Sequence, residues 1–139
     1  MSLSVGQREQ LLIYVRMLAD MMDLKDWRLS VAEEPVDSSA QASAQVSAVA
    51  GRKMAEIEFC ADFSSMSRED QRIVVVHELI HLHFEPMAIM SDNIIKKILG
   101  RESAGVFKIA FLQELEYGVD GLALAISPLF PLPPSLKKP

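Results

Sequence analysis

The residues with the clearest chemical potential form one short motif, His77-Glu78-Leu79-Ile80-His81, which has the pattern HExxH. Residues four apart on an α-helix differ by about 40° in direction and about 6 Å in rise, so both imidazoles can reach one metal ion. Zinc accepts such nitrogens at about 2.0 to 2.1 Å. Glu78 lies between the two ligands, where a carboxylate can take a proton from a metal-bound water. The motif therefore predicts a ligand, a general base and a second ligand within one turn.

A chance match, with purely structural histidines, is the alternative for this motif. The apolar residues 73–76 precede it and Leu82 follows it, which indicates that this part of the helix is inside the protein. Two buried imidazoles and a buried carboxylate there would be destabilising by several kcal/mol unless they had partners. A metal ion would satisfy them, which favours the metal site.

The third ligand must be sought outside the motif, because catalytic zinc usually takes three protein ligands and a water. Phe84 and Met87 stand where metzincin-like and aspzincin-like extensions would have Gly and then His or Asp. Glu85 lies four residues past His81, but it is about 12 Å from His77 along the helix axis. We therefore interpret Glu85 as a residue of the cleft rim or helix end.

Glu116 is a better candidate for the third ligand, in a segment that also holds Asp120 four residues later. The two carboxylates share a helical face, whereas Glu114 points about 200° away. One carboxylate can bind the ion while the other accepts the free N–H of a ligand imidazole. We expect Glu116 to be the ligand and Asp120 to orient an imidazole, with two solvated helix charges as the alternative.

The third histidine and the single cysteine are assigned to other roles. His83 lies about 200° around the helix from His81, so we expect a core or surface residue, with a second-site ligand as the alternative. Cys60 cannot form an internal disulfide, and we expect a small buried residue, with a fourth metal ligand as the alternative. No motif identifies a residue that stabilises a transition state, although Tyr14 and Tyr117 are available.

Hydrophobic periodicity predicts the elements that come before the motif. Apolar residues at spacings of three and four predict an amphipathic helix from Val5 to Met22. Alternating residues predict short strands around 27–31 and 55–60. The segment Ser38 to Ala50 has the composition of a flexible linker, but Ala and Val alternate there with Ser and Gln. We interpret it as a strand that forms a hairpin with the next one.

Helices account for most of the second half of the chain. A capping pattern predicts a helix from about Arg68 that carries the motif, and Pro86 is expected to end or bend it. Two further helices are predicted over Met87 to Leu99 and Ser103 to Ile126. The tail from Ser127 to Pro139 holds five of the seven prolines and is expected to be extended.

The length predicts one domain, and the predicted helices and strands make it an α+β domain over residues 1–126, followed by a proline-rich carboxy-terminal tail over 127–139. With 14 Lys and Arg against 19 Asp and Glu, the net charge is −5, which disfavours nucleic acid as a partner. The amino terminus lacks a signal-peptide pattern, and prolines interrupt the longest uncharged stretch, so we expect no membrane partner and a cytoplasmic location. Oligomeric state is not predicted.

The combination of HExxH with a later ExxxD, here Glu116 to Asp120, resembles the gluzincin group of zinc metallopeptidases. A helix, a small sheet, the HExxH helix and a glutamate helix in so short a chain are similar to minigluzincins and to short phage-encoded metallopeptidases. This resemblance covers about Leu11 to Ile126. It implies a zincin-like fold with a twisted sheet of about three strands, and a Zn²⁺-dependent hydrolase that cleaves a peptide or protein substrate.

The same resemblance implies roles for individual residues. Zinc would be bound by His77, His81 and Glu116, with Glu78 as the general base and Asp120 in support of an imidazole. It further implies that the strand near 55–59 is the sheet edge beside the cleft, able to pair with an extended peptide. The tail after residue 127 would be able to occupy the cleft and keep the enzyme latent.

Two other functions are compatible with the sequence. The first is a zinc-stabilised binding or regulatory protein with a latent or blocked cleft, which fits the small size of the chain. The second is a metal-free structural protein.

Overall fold

The fold combines an amino-terminal helix, a small sheet and a long helical hairpin. The computed structural model describes residues 2–136. The helices and strands agree with an α+β class. The elements are helix α1 (Val5–Met21), strands β1 (Arg28–Val31), β2 (Ala44–Ala48) and β3 (Met54–Phe59), and a helical segment Arg68–Ile126, with short 3-10 turns at Ser38–Ala40, Phe63–Ser65 and Ser127–Leu129.

Helix α1 supplies one wall of the core. A capping box begins it, in which the Ser4 hydroxyl accepts from the Gln7 N–H and the Gln7 side-chain oxygen accepts from the Ser4 N–H. Its predicted apolar face packs against the sheet and the motif helix, although Leu12 and Met22 are only half-buried. The fully buried residues of this face are Leu11, Tyr14, Val15, Leu18 and Ala19.

The sheet has the strand order β1-β3-β2, with β3 parallel to β1 and antiparallel to β2. The predicted hairpin of β2 and β3 is thereby confirmed, and Gly51 adopts a positive φ of 74° in the link between them. The predicted strand over residues 38–50 is shorter in the structure, because a 3-10 turn occupies Ser38–Ala40. Alternation along β3 buries Ala55, Ile57 and Phe59 on the core side.

The edge strand beside the cleft is β2, so the prediction that the strand near 55–59 forms this edge is wrong. Strand β1 pairs with β3 on the side away from β2, from Arg28 opposite Met54 to Val31 opposite Ile57. This pairing leaves β3 with neighbours on both sides. The free backbone groups next to the cleft therefore belong to β2.

The helical segment Arg68–Ile126 departs from helical geometry at Gly100, where φ is 73° and ψ is 174°. We name its two parts α2 (68–99) and α3 (101–126). The predicted break at Gly100 is confirmed, but the helix does not end at Pro86, which lies inside α2. Proline removes one backbone donor, and the hydrogen bonds of the turns on either side outweigh that loss.

Helices α2 and α3 lie antiparallel as a hairpin. Asp92 of α2 is 2.7 Å from the ammonium of Lys96 and 3.7 Å from that of Lys108 on α3. The same antiparallel arrangement brings residue 116 opposite residues 77 and 81. The chain reversal at Gly100 therefore brings the carboxylates of α3 next to the HExxH motif of α2.

The stretch Arg68–Leu129 is long and apolar enough to cross a membrane by length and composition alone, although the chain reverses at Gly100 within it. One third of its most apolar window is buried inside the protein. Core helices of soluble proteins meet the same criterion, so this feature does not assign a location.

The carboxy-terminal tail packs against α1 and the start of α2. The Tyr14 hydroxyl donates to the Pro131 carbonyl at 2.7 Å, and the Arg68 and Arg72 side chains donate to the carbonyls of Pro133 and Phe130. None of residues 127–136 lines the cleft beside His77 and His81, so this part of the tail does not have the cleft-blocking position that the resemblance allowed. Residues 137–139 lie outside the described part of the chain.

Leu136 anchors this tail, because its side chain is only 2% exposed and belongs to the core cluster. We expect Leu136→Ala to lower the free energy of unfolding by about 2 kcal/mol, since it leaves a cavity in packed surroundings. The matched control is Leu129→Ala, at a leucine that is 77% exposed, with an expected change below about 0.5 kcal/mol. Urea unfolding measures both, and equal changes would contradict this docking of the tail.

Candidate metal centre

The two motif histidines project from α2 towards the cleft. The opposite face of the helix packs into the core through Val75, Val76 and Leu79. This packing leaves His77 and His81 with side chains 16% and 17% exposed. Their Nε2 atoms are 3.1 Å apart. The spacing of four residues has therefore placed both imidazoles on one side, as predicted.

Glu116 of α3 completes a cluster with these imidazoles. Its Oε1 is 2.6 Å from the Nε2 of His81 and its Oε2 is 3.2 Å from the Nε2 of His77. One ligand atom from each of the three residues lies within 4.8 Å of the others. Ligands about 2.1 Å from a tetrahedral ion lie about 3.4 Å apart, close to the 3.1 and 3.2 Å separations, whereas the 2.6 Å between Glu116 Oε1 and His81 Nε2 is a hydrogen-bond distance. The three residues could therefore hold a metal ion.

Asp120 fixes the protonation pattern of His77. Its Oδ1 is 2.9 Å from the Nδ1 of His77. A carboxylate can only accept, so Nδ1 is the nitrogen that would donate to Asp120, and a metal ion in the cluster would then take the lone pair of Nε2. A hydrogen bond from Nδ1 to a carboxylate makes the imidazole a better metal ligand.

Glu78 is a buried carboxyl group at the same site. It is 5% exposed, and its Oε1 is 3.9 Å from the Nε2 of His77. Burial, followed by the negative charges of Glu116 and Asp120, raises the pKa of Glu78 to about 7, while the backbone of Val46 opposes the shift. This carboxyl can therefore both accept and release a proton near neutral pH.

The pKa of His81 is lowered, and burial is the main cause. The negative charge of Glu116 opposes this shift, and the neighbouring His77 adds to it. A lowered pKa keeps the imidazole neutral at physiological pH. Neutral imidazole is the form that binds metal ions.

The cluster lies at the floor of a cleft of about 680 Å³, within the usual range for ligand sites of about 300 to 1,000 Å³. Residues 40–46, which lead into and begin β2, form one wall, and α2 and α3 form the other. The sequence did not indicate 40–46 as a cleft wall, because strand order is set by distant pairings. Leu112 of α3 was also missed, since one exposed leucine carries no sequence signal.

The structure keeps His83 and Cys60 apart from the cluster. The Nε2 of His83 is 2.8 Å from the Met22 carbonyl at the end of α1, in agreement with a surface role. Cys60 follows β3, and its N–H donates to the Ser43 carbonyl at 2.9 Å. Burial and the nearby Asp62 raise the pKa of the Cys60 thiol to about 11. A fourth ligand from Cys60 is therefore not supported.

The remaining sequence candidates occupy different places. Glu85 lines the cleft but is not in the ligand cluster, which agrees with a position at the rim. Tyr14 is bound to the tail, and Tyr117 is 81% exposed and does not line the cleft. Neither tyrosine is thus placed to act on a ligand in the cleft.

Comparison with protein-family models, with curated proteins and with solved structures found no match to this chain. The chemistry of the site therefore carries the functional conclusion.

Proposed function

We propose that the protein is a zinc-dependent metallopeptidase of the gluzincin type with a zincin-like fold. The observation that carries this proposal is the convergence of His77, His81 and Glu116 within 4.8 Å, next to the buried carboxyl of Glu78. Two imidazoles and one carboxylate are a donor set found in catalytic zinc sites that keep a position open for water. Zinc bound there would supply a Lewis acid and a water of lowered pKa.

The residues around the ligands have separate tasks in this proposal. Glu78, buried beside the two ligand imidazoles, would accept a proton from the attacking water and pass it to the leaving amine. Asp120 holds the His77 ring in the tautomer that offers Nε2 to the metal.

The free edge of β2 supports a peptide as the substrate. Strand β2 pairs with β3 on one side only, and residues 44–46 line the cleft. An extended peptide can add to such an edge through main-chain hydrogen bonds, which position a peptide bond without regard to its side chains. The edge next to a metal centre thus favours peptides over small esters or amides.

A second candidate is a metal-dependent binding protein that holds a peptide without cleaving it. The observation in its favour is that no tyrosine, arginine or lysine lines the cleft in the described part of the chain, where the uncharged side-chain donors are Gln41, Ser43 and Gln45. Such a side chain commonly stabilises the developing oxyanion in acyl transfer.

Zinc content and hydrolysis together test the two candidates. We expect one equivalent of zinc per chain by elemental analysis, and metal-dependent cleavage of a hexapeptide pool or of unfolded casein by mass spectrometry. A chelator should stop cleavage and added zinc should restore it. Stoichiometric zinc with peptide binding but no cleavage would support the binding protein instead, and absence of zinc binding would contradict both.

A further inference from the structure

Within residues 2–136, four carboxylates line the cleft: Glu78, Glu85, Glu116 and Asp120. Three of them already have a task. Glu116 contacts both ligand imidazoles, Asp120 contacts the Nδ1 of His77, and Glu78 is the proposed base. Glu85 is the fourth carboxylate, and it has no task in the proposed metal centre.

Glu85 is half-buried and has no ion-pair or hydrogen-bond partner for its side chain among residues 2–136. No lysine or arginine of this part of the chain lines the cleft around it. Burial raises the pKa of Glu85, which shows that the charged form is partly desolvated. A cation brought by a ligand would stabilise that charge.

A second cavity of about 250 Å³ lies next to Glu85, between α2 and α3. Glu85 and Leu112 line both this cavity and the cleft. Its size is below the usual range for whole ligands of about 300 Å³ upwards, so it suits a single side chain. Most of its other walls are apolar: Ala88, Ile89, Ile95, Ala104, Phe107 and Phe111.

Lysine and arginine side chains match both properties of this position. Each has an aliphatic stem that packs on apolar surface, here Leu112 and the cavity walls, and a cationic head for Glu85. Among residues 2–136, the other acid of this cavity is Asp92, which is paired with Lys96 and with Lys108, a cation that also lines the cavity. Glu85 is therefore the carboxylate available to a substrate cation.

Glu85 is one helical turn past His81, a rise of about 6 Å. An extended peptide advances about 3.3 Å per residue. A side chain that reaches Glu85 thus belongs to a residue within about two positions of the bond held at the metal centre.

We propose that Glu85 forms a specificity subsite that selects lysine or arginine within about two residues of the cleaved bond. The inference rests on the proposed function, because the subsite belongs to the same cleft.

The test uses zinc-loaded full-length protein and hexapeptides that differ at one position, which is Lys, Arg, norleucine or Glu. Norleucine keeps the stem of lysine without its charge. We expect kcat/KM for the Lys peptide to exceed that for the norleucine peptide about tenfold, as a charged hydrogen bond provides. Glu85→Gln should bring this ratio close to one, and Glu85→Lys should favour the Glu peptide.

The matched control is Glu114→Lys, the same charge change at an exposed glutamate of α3 that does not line the cleft. It should keep the preference for Lys. A preference that survives Glu85→Lys, or that is lost equally in Glu114→Lys, would overturn the subsite.

Fluorescence polarisation with labelled peptides separates this inference from the proposed function. Binding to the Glu78→Gln protein reports selectivity without turnover. If wild-type protein cleaves nothing but binds the Lys peptide through Glu85, the peptidase proposal fails and the subsite stands. If it cleaves Lys and norleucine peptides equally, the subsite fails alone, and absence of both cleavage and binding contradicts both.

Discussion

Glu78→Gln is expected to lower kcat by about 10³-fold while the protein keeps its zinc. The amide cannot accept a proton from water, whereas the ligand atoms of His77, His81 and Glu116 are left in place. Peptide hydrolysis and zinc content of the same sample measure the two effects. The control is Glu114→Gln, at an exposed position outside the cleft, which should retain full activity. Unchanged hydrolysis in zinc-loaded Glu78→Gln would rule out Glu78 as the base.

The environment of Glu78 can also be tested through the pH dependence of the free energy of unfolding, with Glu78→Gln compared with wild type. The pKa of Glu78 is raised from 4.5 to about 7, so the folded metal-free protein holds a proton that the unfolded chain releases. This contribution to stability is present below pH 4.5 and is lost as the pH rises through about 7. Relative to wild type, metal-free Glu78→Gln should therefore gain stability across this window, as urea unfolding measures.

His81→Ala is expected to weaken zinc binding about a hundredfold, because a four-ligand zinc site gains about 10 to 16 kcal/mol in total, or roughly 3 kcal/mol per ligand. Hydrolysis should be lost with the metal. The same substitution at His83, two residues away, removes an imidazole that contacts the Met22 carbonyl instead. Competition with a chromophoric chelator measures the affinities, and His83→Ala should match wild type.

Asp120→Asn provides a graded comparison at the same site. The amide can still contact the Nδ1–H of His77 but loses the negative charge, so we expect zinc affinity to fall about 10- to 100-fold. Equal zinc affinity in wild type, His81→Ala and Asp120→Asn would contradict this metal centre and leave the motif a structural one.

Local rules predicted the elements that carry the chemistry. A spacing of four residues is one helical turn, so His77 and His81 share a face wherever the helix lies. Ser67 caps the start of α2 through the Asp70 N–H, and the positive φ of Gly100 breaks the helical segment. Each of these predictions depends on residues within a few positions of one another.

The same local rules gave wrong predictions where the structure of a segment depends on neighbouring helical turns or on strands far away in the chain. Pro86 was expected to end or bend the motif helix; the helix does not end there, because the hydrogen-bonded turns around Pro86 continue it to Gly100. Strand β3 was expected at the sheet edge, but β1 pairs with it across an insertion that contains β2. The resemblance allowed the tail to occupy the cleft, but residues 127–136 do not line it, and contacts of Tyr14 and Leu136 hold the tail against the core.

Residue spacing alone was enough to predict the motif, its shared helical face and the candidate carboxylates, because helix geometry converts spacing into direction. The contact of Glu116 and Asp120 with the imidazoles depends instead on the antiparallel return of α3 at Gly100. The tertiary structure also decided which strand is free to pair with a peptide, and that Glu85 borders two cavities. Contacts between residues far apart in the chain depend on how whole elements pack, and no local spacing encodes that packing.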